Sequence, residues 1–227
     1  MHRYFVAAVM IMAGLLAHGS AARAQDAAQY IVTYVEIAPN SAADARKLIR
    51  GYVTEAKKAP GATQIEALQR ISDPSHFALI EVWKSPAEKQ AFAATEPVTK
   101  YRAALLPLQS APYDERIHNA LSVGATAPLS GDPVVLMTHV DIIPTQVEPG
   151  TAKVKAFVEA GRGAPGNRRF DDLIQANRKN HFTVVEAWNG ASDKSKFVAS
   201  PVARTFRTEL QPMSGGLYDE RAYKLLK

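Results

Sequence analysis

The sequence predicts an α+β fold in which two ferredoxin-like βαββαβ units pack sheet to sheet as one pseudo-two-fold barrel. Three observations support this: a repeat along the chain, the order of elements in each copy, and strands that are apolar on both faces. His76–Trp83 returns 105 residues later as His181–Trp188, and Tyr113–Arg116 returns unchanged as Tyr218–Arg221. A long period that keeps its phase indicates two copies of one small domain.

The first strand and the first helix follow from their periodicities. Residues 30–38 alternate between two faces and are rich in β-branched side chains, which is typical of a half-buried strand. Residues 41–58 place Ile49 and Tyr52 on one apolar stripe at helical spacing. Pro60-Gly61 then ends the helix.

The rest of the copy completes the ferredoxin-like order. Residues 63–71 and 76–83 are predicted to be two strands joined by a turn. A helical region begins after Ser85, which can cap it, and continues with one interruption to about residue 106. Residues 113–120 are predicted to be the last strand, so the order is that of a split βαβ unit.

The chain divides into four segments. Residues 1–24 are predicted to be a secretory signal peptide, because a basic start and an apolar run of 13 residues precede Ala22-Arg23-Ala24. Residues 28–121 form the first copy, residues 122–132 a linker rich in turn formers, and residues 133–227 the second copy. We therefore expect an exported protein, periplasmic or secreted after cleavage near Ala24. An uncleaved N-terminal anchor is the alternative, although the apolar run is short for a stable membrane anchor.

Composition excludes several classes of function. The chain has no cysteine, which excludes disulfides, thiolate catalysis and covalently attached haem. The net charge is only +5, and the basic pair Arg168-Arg169 lies in no aromatic stripe, so no nucleic-acid partner is expected. The histidines show no spacing typical of a metal site. Residues 161–166 fit G-x-G-x-x-G but follow a helix, which indicates a helix terminator and not a dinucleotide loop. No cofactor is expected.

The third strand explains why two copies occur in one chain. Phe77 and Leu79 lie on one face, whereas Ala78, Ile80 and Val82 lie on the other. The helices of one unit cover only one face of its sheet. The second face needs an apolar partner, and the other copy supplies it within the chain. Intramolecular pairing is therefore predicted, and further pairing of whole chains into a homodimer is left open.

A strand end followed by a helix start recurs in both copies. In the first copy Glu81–Glu88 continues through Phe92 and Thr95 to Tyr101-Arg102, and in the second Glu186–Trp188 continues through Phe197 and Ser200-Pro201 to Phe206-Arg207. These segments resemble the antibiotic biosynthesis monooxygenase family of the dimeric α+β barrel superfamily. The resemblance covers nearly the whole of both copies.

The resemblance implies a possible chemistry as well as a fold. Active members include quinol and anthrone oxygenases that need neither metal nor flavin. Their pocket binds an electron-rich aromatic and helps to remove a proton, and the resulting carbanion or phenolate passes an electron to oxygen. Such a site needs a base, an apolar cavity and a stacking surface. A small phenol, quinol or polyketide-like aromatic and molecular oxygen are therefore the implied reactants.

The sequence departs from the active patterns of the family. Quinol-oxygenase relatives often carry a histidine where this chain has Phe92 and Phe197. Haem-degrading relatives carry a tryptophan there, and a histidine in place of Arg102 and Arg207. These differences argue against haem degradation, and any oxygenase activity would require a different base.

Three residues are candidate bases. Glu81 and Glu186 each lie on an apolar strand face beside a tryptophan, where a carboxyl can have a raised pKa. The alternative is a structural ion pair with an arginine of the same copy, Arg116 or Arg102. His139 replaces a tyrosine of the first copy and could accept a proton inside the barrel, which would favour the second copy as the active one. Its alternative role is that of a hydrogen-bonded wall residue.

Eight residues are candidates for binding the aromatic substrate. Tryptophan and phenylalanine rings could stack on it, and tyrosine or arginine could orient a phenolic oxygen, although ordinary core packing is the alternative for the aromatic residues. The eight are Trp83, Phe92, Arg102, Tyr113, Trp188, Phe197, Arg207 and Tyr218. Two functions are consistent with this sequence: an exported cofactor-independent oxygenase, or a non-catalytic barrel that binds a small apolar ligand or a partner protein.

Overall fold

The computed structural model describes residues 28–125 and 129–227. The strands are β1 (Gln29–Glu36), β2 (Ala62–Arg70), β3 (His76–Trp83), β4 (Asp114–Ser122), β5 (Val134–Asp141), β6 (Asn167–Gln175), β7 (His181–Trp188) and β8 (Asp219–Leu225). The α-helices are α1 (Ala42–Lys58), α2 (Pro86–Ala93), α3 (Glu96–Leu105), α4 (Val147–Arg162), α5 (Ala191–Val198) and α6 (Pro201–Leu210). None of the helices in this part of the chain is long and apolar enough to cross a membrane. The predicted signal peptide, residues 1–24, lies outside the described residues.

The strands close into one antiparallel barrel in the order β1-β3-β2-β8-β5-β7-β6-β4. Each repeat contributes four consecutive strands of this order, and the repeats meet at two seams, β2 with β8 and β4 with β6. The predicted α+β class is therefore confirmed, as is the pseudo-two-fold barrel of two ferredoxin-like units.

The two faces of each strand are buried by different partners. In β1, Val32 and Tyr34 point into the barrel, where apolar side chains of both repeats form one cluster. Ile31 and Val35 point outward and pack under the helices of their own repeat. A separate outer cluster lies under the helices of the second repeat. The barrel interior is therefore shared, whereas each repeat has its own core between sheet and helices.

An ion pair inside the barrel also joins the repeats. The Arg169 guanidinium on β6 donates to both carboxylate oxygens of Glu66 on β2, at 2.7 and 2.9 Å. Both side chains are at least nine-tenths buried. A two-pronged arginine–carboxylate bond fixes relative orientation as well as distance, so this contact helps to set how the two sheets face each other.

Close packing of α4 on β6 predicts the effect of one substitution. A Cβ at Gly161 would overlap the ring of Phe170, whereas the equivalent positions of the first repeat hold Ala56 and Ile65 in one cluster. We expect Gly161→Ala to lower the free energy of unfolding by about 1–3 kcal/mol through overpacking, measured by urea denaturation. Adding Phe170→Ile should recover most of the loss because it recreates the Ala56–Ile65 pair. A single variant as stable as the parent would contradict this packing.

Candidate functional site

A buried glutamate lies at the centre of the outer core in the first repeat. Glu81 of β3 is 0% exposed. Its Oε1 accepts a hydrogen bond from the Tyr52 hydroxyl at 2.8 Å, and its Oε2 accepts from the Trp83 indole at 2.8 Å and from the Lys89 ammonium at 2.9 Å. The Lys89 ammonium also lies 3.3 Å from the Tyr52 oxygen and 3.5 Å from the carboxylate of Glu115. The carboxylate is thus both paired and hydrogen-bonded, as a buried charge requires.

The second repeat keeps the charges of this network and omits one hydroxyl. Glu186 accepts from the Trp188 indole at 2.8 Å and from the Lys194 ammonium at 2.9 and 2.8 Å. Lys194 also contacts the carboxylate of Glu220 at 2.8 Å. Phe157 stands where the first repeat has its tyrosine. Burial raises the pKa of the Glu186 carboxyl, and the Lys194 ammonium is the strongest opposing influence.

The prediction that an arginine of the same copy pairs with each glutamate is wrong. In the structure each glutamate forms its ion pair with a lysine. Lys89, near the start of α2, reaches down to Glu81, and Lys194 does the same from α5. Arg116 lies on the inner face of β4, across the sheet from Glu81, and pairs with a neighbouring aspartate instead. Arg102 stacks on a tyrosine ring. The recurrence of the two lysines at the repeat distance is a sequence signal that could have identified them.

The aromatic candidates of the first repeat pack together above Glu81. The ring of Phe92 stacks on Trp83 with centroids 5.1 Å apart, and Tyr52 lies 5.6 Å from Phe92. Tyr101, which the sequence patterns did not single out, lies 4.5 Å from Tyr52. These rings form a continuous aromatic wall between the buried carboxylate and the outer surface.

Arg102 and Tyr113 form the rim of the same site. The Arg102 guanidinium lies 3.3 Å from the centroid of the Tyr113 ring. Burial, followed by the charge of Glu81, raises the pKa of Tyr113 to about 12, so its hydroxyl stays protonated at neutral pH. The Tyr101 hydroxyl is buried next to Tyr113 without a hydrogen bond of ordinary geometry.

The corresponding residues of the second repeat have a similar core and a more open rim. Trp188 packs on Phe197 with centroids 5.0 Å apart. Tyr218 is 38% exposed, and Arg207 donates a hydrogen bond to the carbonyl of Val198. The structure therefore groups the predicted glutamates and aromatic-binding candidates into two outer clusters, one in each repeat, and not into one central pocket.

An apolar groove opens next to the first cluster, between α1 and the α2–α3 pair. It consists of two adjoining cavities of about 440 and 300 Å³ that share Glu55, Phe92 and Pro97. Gly51 and Tyr52 line the smaller one. Cavities of this size and character suit a small aromatic molecule. Tyr52 thus belongs both to the wall of the groove and to the hydrogen-bond network of the buried carboxylate.

His139 lies apart from both clusters, inside the barrel. Its Nε2 is 2.7 Å from the hydroxyl of Tyr34, the equivalent residue of the first repeat, and 3.4 Å from Nη1 of Arg116. A guanidinium only donates hydrogen bonds, so we assign Nε2 as an acceptor and the ring as neutral, with its proton on Nδ1. Burial, reinforced by Arg116 and Arg221, lowers the pKa of His139. The sheet separates it from Glu186, so the structure does not bring these two candidates together.

One buried carboxyl group was not identified by any sequence pattern. Asp172 of β6 is 0% exposed, and neither of its oxygens has a hydrogen-bond partner. Burial raises its pKa to about 8, and the nearby Arg162 opposes this shift. The first repeat has Ala67 at the equivalent position. Across residues 28–125 and 129–227, the structure places no group of three or more histidine, aspartate or glutamate side chains that could hold a metal ion.

Comparisons with known proteins agree with this fold. The family model for antibiotic biosynthesis monooxygenases matches residues 28–104. A candidate monooxygenase from Fusobacterium nucleatum superposes with a TM-score of 0.79 at 11% identity, covering 88% of this chain and 93% of that one. A candidate monooxygenase from Lactobacillus acidophilus gives 0.73 at 12% identity, with 88% and 95% covered.

A third solved structure, of an anthrone oxidase-like protein, gives a TM-score of 0.67 at 12% identity, covering 89% of this chain and 92% of that one. At these identities the likeness concerns the fold alone, and its extent shows that both repeats take part in it. No protein of curated function matches the sequence.

Proposed function

We propose that this chain, whose residues 28–104 match the family model for antibiotic biosynthesis monooxygenases, oxidises a small phenol, quinol or polyketide-like aromatic with molecular oxygen, and that the first repeat holds the site. One observation carries this proposal. Tyr52 lines an apolar groove and donates its hydroxyl hydrogen to the buried carboxylate of Glu81. An apolar binding surface and a proton-accepting network therefore meet at a single side chain.

The groove would act by binding the aromatic and by helping to remove its proton. Phe92, stacked on Trp83, supplies a flat apolar surface. Loss of a proton makes a phenol or quinol electron-rich enough to pass an electron to oxygen. For a quinol, one oxygen atom then enters the ring and the other leaves as water with two hydrogens. The overall change is quinol plus oxygen to hydroxyquinone plus water, which balances without a further reductant.

Oxygen consumption with hydroquinones and anthrones tests the proposal. We expect enzyme-dependent uptake by the full chain, and its loss in Gly51→Phe. A Cβ at Gly51 meets open space within 4 Å, so a large side chain can fill the groove without displacing the core. Gly51→Ala is the matched control, because the second repeat has Ala156 there, and it should keep the activity. Uptake that Gly51→Phe leaves unchanged would place the chemistry elsewhere.

A second candidate function is binding without turnover. It is favoured by the full hydrogen-bonding of Glu81, whose carboxylate already accepts from three donors, as in a purely structural pair. Fluorescence of Trp83 and Trp188 separates the two functions. Saturable quenching by the same aromatics, together with no oxygen uptake from any of them, would support binding alone.

A further inference from the structure

We propose that Tyr52, Glu81, Lys89 and Glu115 form a proton relay from the groove to the surface, and that Phe157 interrupts the equivalent path, so that only the first repeat can deprotonate a bound phenol. This inference rests on the proposed function and deepens it. Tyr52 becomes the residue that touches the substrate, whereas Glu81, Lys89 and Glu115 act through it.

The first two steps of the relay are short hydrogen bonds, and the last is an ion pair. The Tyr52 hydroxyl donates to Glu81 at 2.8 Å, and the Lys89 ammonium lies 2.9 Å from the same carboxylate. The carboxylate of Glu115 lies 3.5 Å from Lys89, and its side chain is 39% exposed. The path therefore begins at the groove wall, passes through side chains that are at least nine-tenths buried, and ends in water.

The proton transfers balance along this path. A phenol held against Tyr52 donates its proton to the tyrosine oxygen while Tyr52 passes its own proton to Glu81. Lys89 gives a proton to Glu115 and takes one from Glu81. One O–H bond breaks in the phenol and one forms on Glu115, which exchanges with water, and the total charge is unchanged.

Tyr52 suits this role because it stays protonated between turnovers. Burial, followed by the charge of Glu81, raises the pKa of its hydroxyl. It donates to Glu81, and its oxygen accepts from the Lys89 ammonium through a long contact of 3.3 Å, which a bound phenol would replace. Tyr101 from α3 and Tyr113, just before β4, also face Glu81, and Arg102 covers Tyr113.

The second repeat is an internal control for this assignment. Glu186, Lys194 and Glu220 keep the same carboxylate–lysine–carboxylate series, with contacts of 2.8 Å. Phe157 and Phe206 replace Tyr52 and Tyr101. Their rings stack with centroids 3.9 Å apart and planes 4° apart. The ion pair is thus common to both repeats and serves folding, whereas the hydroxyl that joins it to a groove belongs to the first repeat.

The decisive variant is Tyr52→Phe, which gives the first repeat the side chain that the second repeat already accommodates. With a hydroquinone that supports oxygen uptake, we expect kcat to fall by about 10²- to 10⁴-fold, the usual contribution of a positioned proton acceptor, with KM unchanged. Phe157→Tyr is the reciprocal variant: it supplies the missing hydroxyl of the second repeat, and it should not lower kcat. A Tyr52→Phe variant that keeps the parent kcat, or whose loss lies in KM alone, would overturn the relay.

A binding experiment separates failure of the relay from failure of the proposed function. The probe is 4-nitrophenol, whose phenol and phenolate forms absorb at different wavelengths. We expect the full chain to bind it with the bound apparent pKa below that of the free probe, and Tyr52→Phe to bind it as tightly without this shift. A shift without oxygen uptake from any substrate would retain the relay and reject the oxygenase. Equal protonation of the probe in both proteins, or no binding, would reject the relay.

Discussion

Lys194→Met is expected to lower the free energy of unfolding by about 3–5 kcal/mol, because it leaves the carboxylate of Glu186 buried without its cation. Glu186 is 0% exposed, and only the Trp188 indole would remain from its partners in the parent network. Urea denaturation followed by circular dichroism measures the loss. A buried carboxylate without a cation is costly because the surrounding core cannot replace the lost hydration.

Two companion variants show whether the loss of stability in Lys194→Met comes from the burial of the unpaired carboxylate. The double variant Glu186→Gln with Lys194→Met removes both charges and should recover most of the stability. Lys196→Met breaks an ion pair on the same helix, but Lys196 is 74% exposed, so a loss below about 1 kcal/mol is expected. Equal losses from Lys194→Met and Lys196→Met would show that Glu186 is solvated or already neutral.

Asp172→Ala is expected to stabilise the protein at neutral pH and to remove a pH dependence of stability. Burial raises the pKa of this carboxyl from 3.8 to about 8. Between these values the folded protein holds a proton that the unfolded chain has released. The free energy of unfolding is therefore highest, as far as Asp172 is concerned, below pH 3.8, where its carboxyl is protonated in both states. It falls as the pH rises towards about 8 and is not lowered further above that value.

The expected size of this effect is large. Linkage at about 1.4 kcal/mol for each tenfold change gives on the order of 4 kcal/mol lost between pH 4 and pH 7. Unfolding free energies measured across this range should decline more steeply for the parent than for Asp172→Ala. Ala67 at the equivalent position shows that the fold accommodates alanine there. Asp44→Ala, at an exposed helix position, is the control, and parallel curves for the parent and Asp172→Ala would contradict a buried proton.

The sequence was sufficient for the architecture because the repeat and the alternation of β3 are local properties. Strand parity placed Glu81 and Trp83 on one face, and the structure confirms that they touch. Parity does not say which of two apolar faces meets the helices and which meets the other repeat. That choice depends on how the sheets close, and it put Glu81 under α2, within reach of Lys89.

Other parts of the site depend on distances between elements. Tyr52 was predicted on the apolar stripe of its helix, but the partner of its hydroxyl is set by the docking of α1 on β3. His139 stands where the first copy has a tyrosine, yet its bond to that Tyr34 joins equivalent positions of two repeats and cannot be derived from either one alone. Asp172 occupies an ordinary position in a strand pattern, so its isolation becomes visible only when the neighbouring side chains are in place.

The contact between Tyr34 and His139 has a consequence for the joining of two repeats in one polypeptide. In a dimer of identical subunits, a residue near the rotation axis must face its own copy, so tyrosine would meet tyrosine or histidine would meet histidine. Covalent fusion removes that constraint, and each half can then change independently of the other. A mixed pair at the axis is an arrangement that a symmetric assembly cannot reach, and the same freedom allows one half to diverge towards chemistry while the other preserves the scaffold.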